Sequence, residues 1–268
     1  MPLELAGVEA KLMRAQEHFE CLRRDVTEKV RTCTYSIRHV RNNDSTDLSL
    51  RIQTNGFGFP FLWWSLIVGD FVNNLRSALD HLIYLIAVYE SGQDPPPKKS
   101  KLAFIIEDQW DDFKRRAESC MGDLSTKAWT AVESVQPYHR VNLYIPSPLS
   151  ILKDFSNTDK HRTIRLAAVT PALWDFNFTE PLSPTVIREY RQCHDDLEDG
   201  AEVAGVRSSQ PEPALTSLGQ LGVEVTIWHG ALPTRTDPGA DRSEVLLMCQ
   251  ILMREVREVI QQIVSVYI

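Results

Sequence analysis

Cysteine is scarce in this chain: five among 268 residues (Cys21, Cys33, Cys120, Cys193, Cys249), none in a CxxC pair. The odd number and wide spacing exclude a disulfide scaffold and predict reduced thiols in a cytoplasmic setting. Glycine and proline stand at 12 and 15, too few for collagen-like or low-complexity chains. The start, MPLELAGVEAKLMR, lacks a basic segment followed by an apolar one, so export is not expected. Long hydrophobic runs are missing too. The longest, Phe57 to Val68, is interrupted by Gly58 and Pro60 and spans about 12 residues, where a bilayer crossing needs roughly 20. No membrane partner is expected. A P-loop, a GxGxxG turn, a GxSxG elbow and any HxxxH, HxxE or Cys/His ligand spacing are all absent. No cofactor and no metal are therefore predicted. Positive charge is in deficit, with 29 Lys and Arg against 36 Asp and Glu and a net charge of -7. That argues against non-specific adsorption to nucleic acid and leaves a local basic pocket open.

What is present is core material: 43% of residues are apolar, which excludes general disorder and suits a single domain over residues 1–268. Apolar residues at Leu5, Val8, Leu12, Ala15, Phe19, Leu22 and Val26 alternate in steps of three and four, which predicts a long helix with a narrow seam. The chain's other end repeats this at Val245, Cys249, Leu252, Val256, Val259, Ile263 and Val266, and Asp241 with Glu244 suggests a capping box. The two seams can pack on each other or serve a homodimer. Cys33, Tyr35 and Ile37, then Leu48, Leu50 and Ile52, alternate around the turn-like Arg41-Asn42-Asn43-Asp44, the pattern of a hairpin. A hydrophobic helix is expected from Phe61 to Tyr89, ended by Ser91-Gly92, and one or two helices over Asp111 to Val135, broken near Gly122. Pro148 to Phe155 reads as a short helix ending in the polar run Ser156 to Arg162, of which Asp159 to Arg162 is read as a loop. Strands are expected at Thr163–Val169, Leu173–Phe178 and Val223–Trp228, and residues 198–222, rich in Gly, Ser, Pro and Glu, as a mobile loop. The fold class is α+β, with long terminal helices and a central hydrophobic helix packed with a small antiparallel sheet.

The central helix carries the functional signal. At 100° per residue, Phe71, Val72, Leu75, Ala78, Leu79, Leu82, Ile83, Leu85 and Ile86 fill one half of the cylinder. The other half holds Asp70, Asn73, Asn74, Arg76, Ser77, Asp80, His81 and Tyr84, with no Lys or Glu of the kind that coats a solvent face. Short hydrogen-bonding side chains of both polarities suit a desolvated network or a site. Three readings stand side by side: a buried network in which Arg76 pairs with Asp80, a phosphodiester-cleaving site, and a ligand pocket without chemistry. Imidazole suits proton transfer near neutral pH and guanidinium suits a phosphoryl oxygen, so His81 and Arg76 are the candidate catalytic pair. Asp70, Asn73, Asn74, Ser77 and Asp80, with Asn157, Asp159, Lys160, His161 and Arg162 further along the chain, are the candidate binding residues. Trp63-Trp64 read as core.

Arg76-Ser77-Ala78-Leu79-Asp80-His81 resembles the Arg-x4-6-His motif of the HEPN superfamily, helical proteins found among bacterial toxins, defence systems and RNA-processing enzymes. The stretch Gly69 to Leu82, with Gln136-Pro137-Tyr138 and Asn157 to Arg162, is also similar to a family of uncharacterised bacterial proteins. The HEPN resemblance implies metal-independent ribonuclease activity or RNA binding, with Arg76 and His81 meeting across a homodimer and a cognate antitoxin as a further partner. Ser77 stands where that superfamily usually carries Asn, Asp or His, and the strands would be additions to its helical core. Five residues of regular helix also set Arg76 and His81 about 140° apart. The different-class alternative is a non-enzymatic binding or assembly protein.

Overall fold

The computed structural model describes residues 3–97, 102–139, 147–169, 176–178, 187–192, 196–211, 215–218, 223–228 and 242–267. It is an α+β fold. Contacts cluster into two compact units where one domain is expected: Met1–Arg23, Leu62–Ile164 and Leu246–Ile268 form the first, and Arg24–Phe61 with Arg165–Val245 the second.

The first unit is helical. Its elements are α1 (Ala6–Thr32), α2 (Phe61–Ser91), α3 (Trp110–Met121), α4 (Thr126–Glu133), α5 (Pro148–His161) and α6 (Val245–Ser265), with a 3-10 turn at Pro137–His139; α1, α2 and α6 have their ends in the second unit. Most of the expected seam residues are buried inside the chain, Val8, Ala15, Phe19 and Leu22 on α1 and Cys249, Leu252, Val256, Val259 and Ile263 on α6, whereas Val266 lies beyond α6 and is exposed. Arg257 of α6 donates to Gln16 of α1, so the two terminal helices are neighbours. The expected capping box does not form. Glu244 belongs to a strand that ends where α6 begins, and Asp241 lies outside the described residues. Most of the apolar half of α2 is fully buried, from Trp64 to Ala87, and Gly92 just past its end takes the left-handed conformation (φ +65°) that closes a helix. Trp63 is exposed and Trp64 is core. The polar segment Ser156 to His161 is not a loop: α5 runs through it, and only Arg162 lies beyond. Pro148 at the first turn starts that helix because its missing N–H has no intrahelical role there. Among the described residues no helix is long and apolar enough to cross a membrane.

The second unit is built on antiparallel sheet: β1 (Ser36–Arg41), β2 (Asp47–Gln53), β3 (Leu166–Val169), β4 (Phe176–Phe178), β5 (Ile187–Gln192), β6 (Glu202–Ser208), β7 (Leu215–Leu218), β8 (Glu224–Trp228) and β9 (Arg242–Glu244). They form sheets ordered β1-β2-β6-β5, β3-β8-β9 and β4-β7. The expected hairpin is present, with Ile37 opposite Ile52 and His39 opposite Leu50. Residues 198–222, expected as a loop, contain β6 and β7. β6 is an inner strand of the four-stranded sheet, and Val203, Ala204 and Val206 are buried. Because Val203-Ala204-Gly205-Val206 is buried continuously, it shows no alternation, and its small residues read as loop. Leu48, Leu50 and Ile52 pack with Val203, Ala204, Ala168 and Val223, bordered by the aromatic series Tyr35, Phe57, Phe59 and Phe61.

Candidate functional site

α2 runs through the helical unit, and its polar half is divided among three neighbours. Towards α1, Lys11 donates to Ser77 Oγ at 2.6 Å, and the His81 ring lies against Gly7, where any Cβ would overlap it. Towards α5, Asn73 donates to Asp159 Oδ2 at 2.7 Å, and Gly69 lets the Asp159 carboxylate reach the α2 backbone. Alanine at Gly69 would collide with that carboxylate and pull it from Asn73. We expect Gly69→Ala to cost about 1–2 kcal/mol, read as a lower midpoint in urea unfolding; an unchanged midpoint would show that α5 yields freely.

The third neighbour is the extended segment 102–107, in which Phe104, Ile105 and Ile106 are buried. No strand pairs with this segment in the described structure, so its polar groups need side-chain partners. Asp80 Oδ1 accepts from the Phe104 N–H at 2.9 Å, and Arg76 Nη2 donates to the Phe104 carbonyl while pairing with Asp80 at 3.1 Å. One helical turn of α2 thus satisfies both backbone groups of one residue. Gln136, wholly buried, does the same further along: its Nε2 donates to the carbonyls of Ile105 (2.8 Å) and Val132 (3.0 Å), and its Oε1 accepts from the Glu107 N–H at 2.9 Å. The expected Arg76–Asp80 pair is therefore present and has a structural task.

The same arginine lines a cavity of about 90 Å³ with Ile106, Arg116, Lys153, Ser156, Asn157 and Lys160. The helical repeat explains the convergence. Lys153, Ser156, Asn157 and Lys160 recur at three- and four-residue steps on α5 and share one face. Arg116 comes from α3 beside the buried Ala117, and Arg76 from α2. Ser156 is 2% exposed, and its Oγ has no hydrogen-bond partner among the described residues. Arg116 pairs with Glu107, and Lys153 reaches Glu107 (3.4 Å) and Asp108 (2.8 Å). Lys160 is exposed and makes no ion pair with a described residue. Four cations thus line the cavity; Asp80, Glu107 and Asp108 pair with three of them, and the Asp154 carboxylate also acts on Lys153.

Burial draws the Arg76 guanidinium below its ordinary pKa, Asp80 offsets part of this, and the nearby Arg116 charge lowers it again. It remains charged, and the repulsion between the two guanidinium groups is what an anion in the cavity would relieve. Burial alone would raise the Asp108 carboxyl, yet hydrogen bonds from Lys153 and Ser150 outweigh it and hold the group below its usual range. Burial works to lower Lys153, and Asp108 and Glu107 more than reverse it. A depressed carboxyl stabilises the fold above its unfolded pKa and loses that contribution as pH falls through the folded value. A raised amine stabilises below its unfolded pKa and loses it as pH rises through the folded one. Stability is therefore expected to decline as the pH drops below about 4, and the decline should be shallower in Asp108→Asn. The effect is small because the Asp108 side chain is half exposed; thermal melts across the acid range measure it, and identical acid profiles for the two proteins would remove Asp108 from the account.

Of the sequence-derived candidates, Arg76, Asn157 and Lys160 come together at the cavity. Asn73 meets Asp159, Ser77 meets Lys11, and Asn74 donates to the Asp70 carbonyl of its own helix. Asp70, His161 and Arg162 are exposed. Arg76 and His81 are not brought together within the chain: the first faces Phe104 and the cavity, the second Gly7 and the Tyr84 ring. His81 Nδ1 is buried without a hydrogen-bond partner among the described residues. Sequence reasoning missed Arg116, Lys153 and Ser156. The α5 stripe was visible as a helical repeat only if the helix is extended through residue 161. Among the described residues, no group of His, Cys, Asp and Glu is arranged to hold a metal ion. Compared with known proteins, the chain matches no family model, no curated protein and no solved structure.

Proposed function

We propose that this chain is a cytoplasmic RNA-binding protein that takes a phosphate group of the RNA into the cavity between α2, α3 and α5. The observation that carries this reading is the convergence of Arg76, Arg116, Lys153 and Lys160 on one small pocket in a chain whose net charge is -7. An acidic surface repels nucleic acid at long range, so a local concentration of cations marks where a phosphate would be accepted. Guanidinium groups offer forked donors matched to phosphate oxygens, and the two lysines add point charge.

Lys160→Glu tests it, since that side chain is exposed and the substitution leaves the interior untouched. Affinity for single-stranded RNA at low salt is expected to fall about 10- to 30-fold, and the slope of log K against log salt to flatten by about one contact. An affinity and slope equal to the parent's would end the reading.

A cleaving version of the same function would rest on His81, whose buried Nδ1 has no hydrogen-bond partner among the described residues, so that Nε2 is the ring atom left to act. In that version Arg76 holds the scissile phosphate, His81 of a second copy takes the 2'-hydroxyl proton as that oxygen bonds to phosphorus, and the 5'-oxygen leaves as its bond to phosphorus breaks and is protonated by water, so the active species is a homodimer. RNA should then be cut in the presence of a chelator by the parent and not by His81→Ala. A strict monomer by light scattering, or equal cleavage by both proteins, would leave binding without cleavage.

A further inference from the structure

We infer that the cavity seats a phosphomonoester, the terminal phosphate of an RNA strand, rather than a phosphodiester within it. This rests on the RNA-binding reading without cleavage and goes further, because it names the group that enters.

Size comes first. About 90 Å³ is the room of roughly three water molecules, several-fold below the 300–1,000 Å³ of ordinary small-molecule clefts. A single tetrahedral oxyanion fits; a base or a ribose does not. Shape is the second constraint. Ser156 is 2% exposed and supplies an interior hydroxyl, whereas Asn157 and Lys160, one and four residues on, are exposed and form the rim. An internal diester carries two substituents on phosphorus that must both stay outside so small an interior, whereas a monoester carries one and can turn its three terminal oxygens inward.

Charge is the third. A monoester holds close to two negative charges near neutral pH, a diester one. The pocket presents Arg76, Arg116, Lys153 and Lys160, of which Lys160 has no carboxylate partner among the described residues and Arg76 has donors to spare. A guanidinium has five N–H groups, and Nη2 makes the contacts to Phe104 and Asp80, so Nη1 and Nε remain. The buried Ser156 hydroxyl is the strongest sign of a ligand. A polar atom this desolvated is normally satisfied, and this one, on a residue that lines the cavity, has no hydrogen-bond partner among the described residues.

The interior hydroxyl also makes the inference separable from fold stability. If Ser156 exists to meet an oxyanion, its loss should weaken binding while relieving an unsatisfied group. Ser156→Ala is expected to lower affinity for a terminally phosphorylated RNA about 10- to 100-fold, the effect of one hydrogen bond to a charged group, and to raise Tm of the ligand-free protein by about 2 °C. Lys160→Ala should lower the same affinity about tenfold with Tm unchanged.

The experiment compares one RNA oligonucleotide in three forms, with a 5'-phosphate, with a 3'-phosphate and with neither, and adds inorganic phosphate and a nucleoside monophosphate, all titrated calorimetrically into the full chain. The expected result is at least tenfold tighter binding of one phosphorylated form than of the unphosphorylated strand, with the preference lost in Ser156→Ala and Lys160→Ala; whichever end is preferred names the terminus. Equal binding of all three strands would overturn the monoester assignment and leave RNA binding standing. Binding of inorganic phosphate and the nucleotide but of no strand would keep the monoester pocket and end the RNA reading. No binding of any probe would overturn both.

Discussion

Replacing Gln136 with leucine is expected to remove about 3 kcal/mol of stability, a larger loss than most single substitutions produce. The two side chains are close in volume, so packing is nearly preserved and the effect isolates polarity. Leucine leaves the Glu107 N–H and the Ile105 and Val132 carbonyls without the partners that Gln136 gives them at 2.8–3.0 Å. Gln136 is wholly buried and Ile105 almost so, so water does not replace those bonds at the glutamine's position. Each buried unsatisfied group costs about 1–3 kcal/mol, and partial relaxation of segment 102–107 brings the total below the full sum. Urea unfolding should show a lower midpoint with an unchanged slope, and amide hydrogen exchange should accelerate at Glu107. Gln136→Glu is a second probe, since it keeps an acceptor but loses the donor to Ile105 and Val132 and adds a buried charge. A leucine variant as stable as the parent would show that segment 102–107 is held by its apolar side chains alone.

Arg76→Ala and His81→Ala should differ sharply, although the two residues are only five positions apart. Arg76→Ala leaves the buried Phe104 carbonyl without its donor and Asp80 without its cation, a combination we place at about 2–3 kcal/mol. The figure is held below that of a fully buried pair because Asp80 is 38% exposed and water can solvate it. His81→Ala loses the packing of the ring on Gly7 but also removes a desolvated nitrogen that has no partner among the described residues, so its net cost is about 1 kcal/mol or less. RNA affinity should follow the same order, collapsing in Arg76→Ala and barely moving in His81→Ala. Arg76→Lys should not restore either property, because one ammonium cannot bridge Asp80 and the Phe104 carbonyl and also face the cavity. Thermal melts and binding titrations on the three variants decide it; if His81→Ala were the more damaging, the division of labour along α2 would be reversed.

How much of this was legible can be seen on α2 itself. Its apolar half and its polar half follow from the angular positions of residues 68–86 alone, and so does the absence of a solvent-coating stripe. The Arg76–Asp80 pair follows from i, i+4 spacing. Helical geometry, however, gives each side chain a direction and not a neighbour. Nothing in the order of residues says that Lys11 reaches Ser77, that Asp159 fills the gap above Gly69, or that Phe104 needs the pair. On α5 the difficulty was a boundary. Ending the helix at Phe155 scattered Lys153, Asn157 and Lys160 between a helix and a loop, and the shared face vanished. Local polarity misled there, because Ser156 and Asp159 have helical roles supplied by the cavity and by Asn73. The second unit shows the converse in β6: an inner strand of small residues carries no alternation, so only its pairing with β2 and β5 reveals it.

By itself, then, the sequence determined the α+β class, most of the helices, the first hairpin and the polar half of α2, because each depends on contacts within a few residues and on a repeat of 2.0 or 3.6. The tertiary structure alone decided that Arg76 and His81 face different elements, that Gln136 secures segment 102–107, and that Arg116, Lys153 and Ser156 join Arg76 around one cavity. Those are meetings of residues up to 80 positions apart, and burial, which makes an unpartnered hydroxyl or an uncompensated cation costly, is a property of the folded chain and not of any stretch within it.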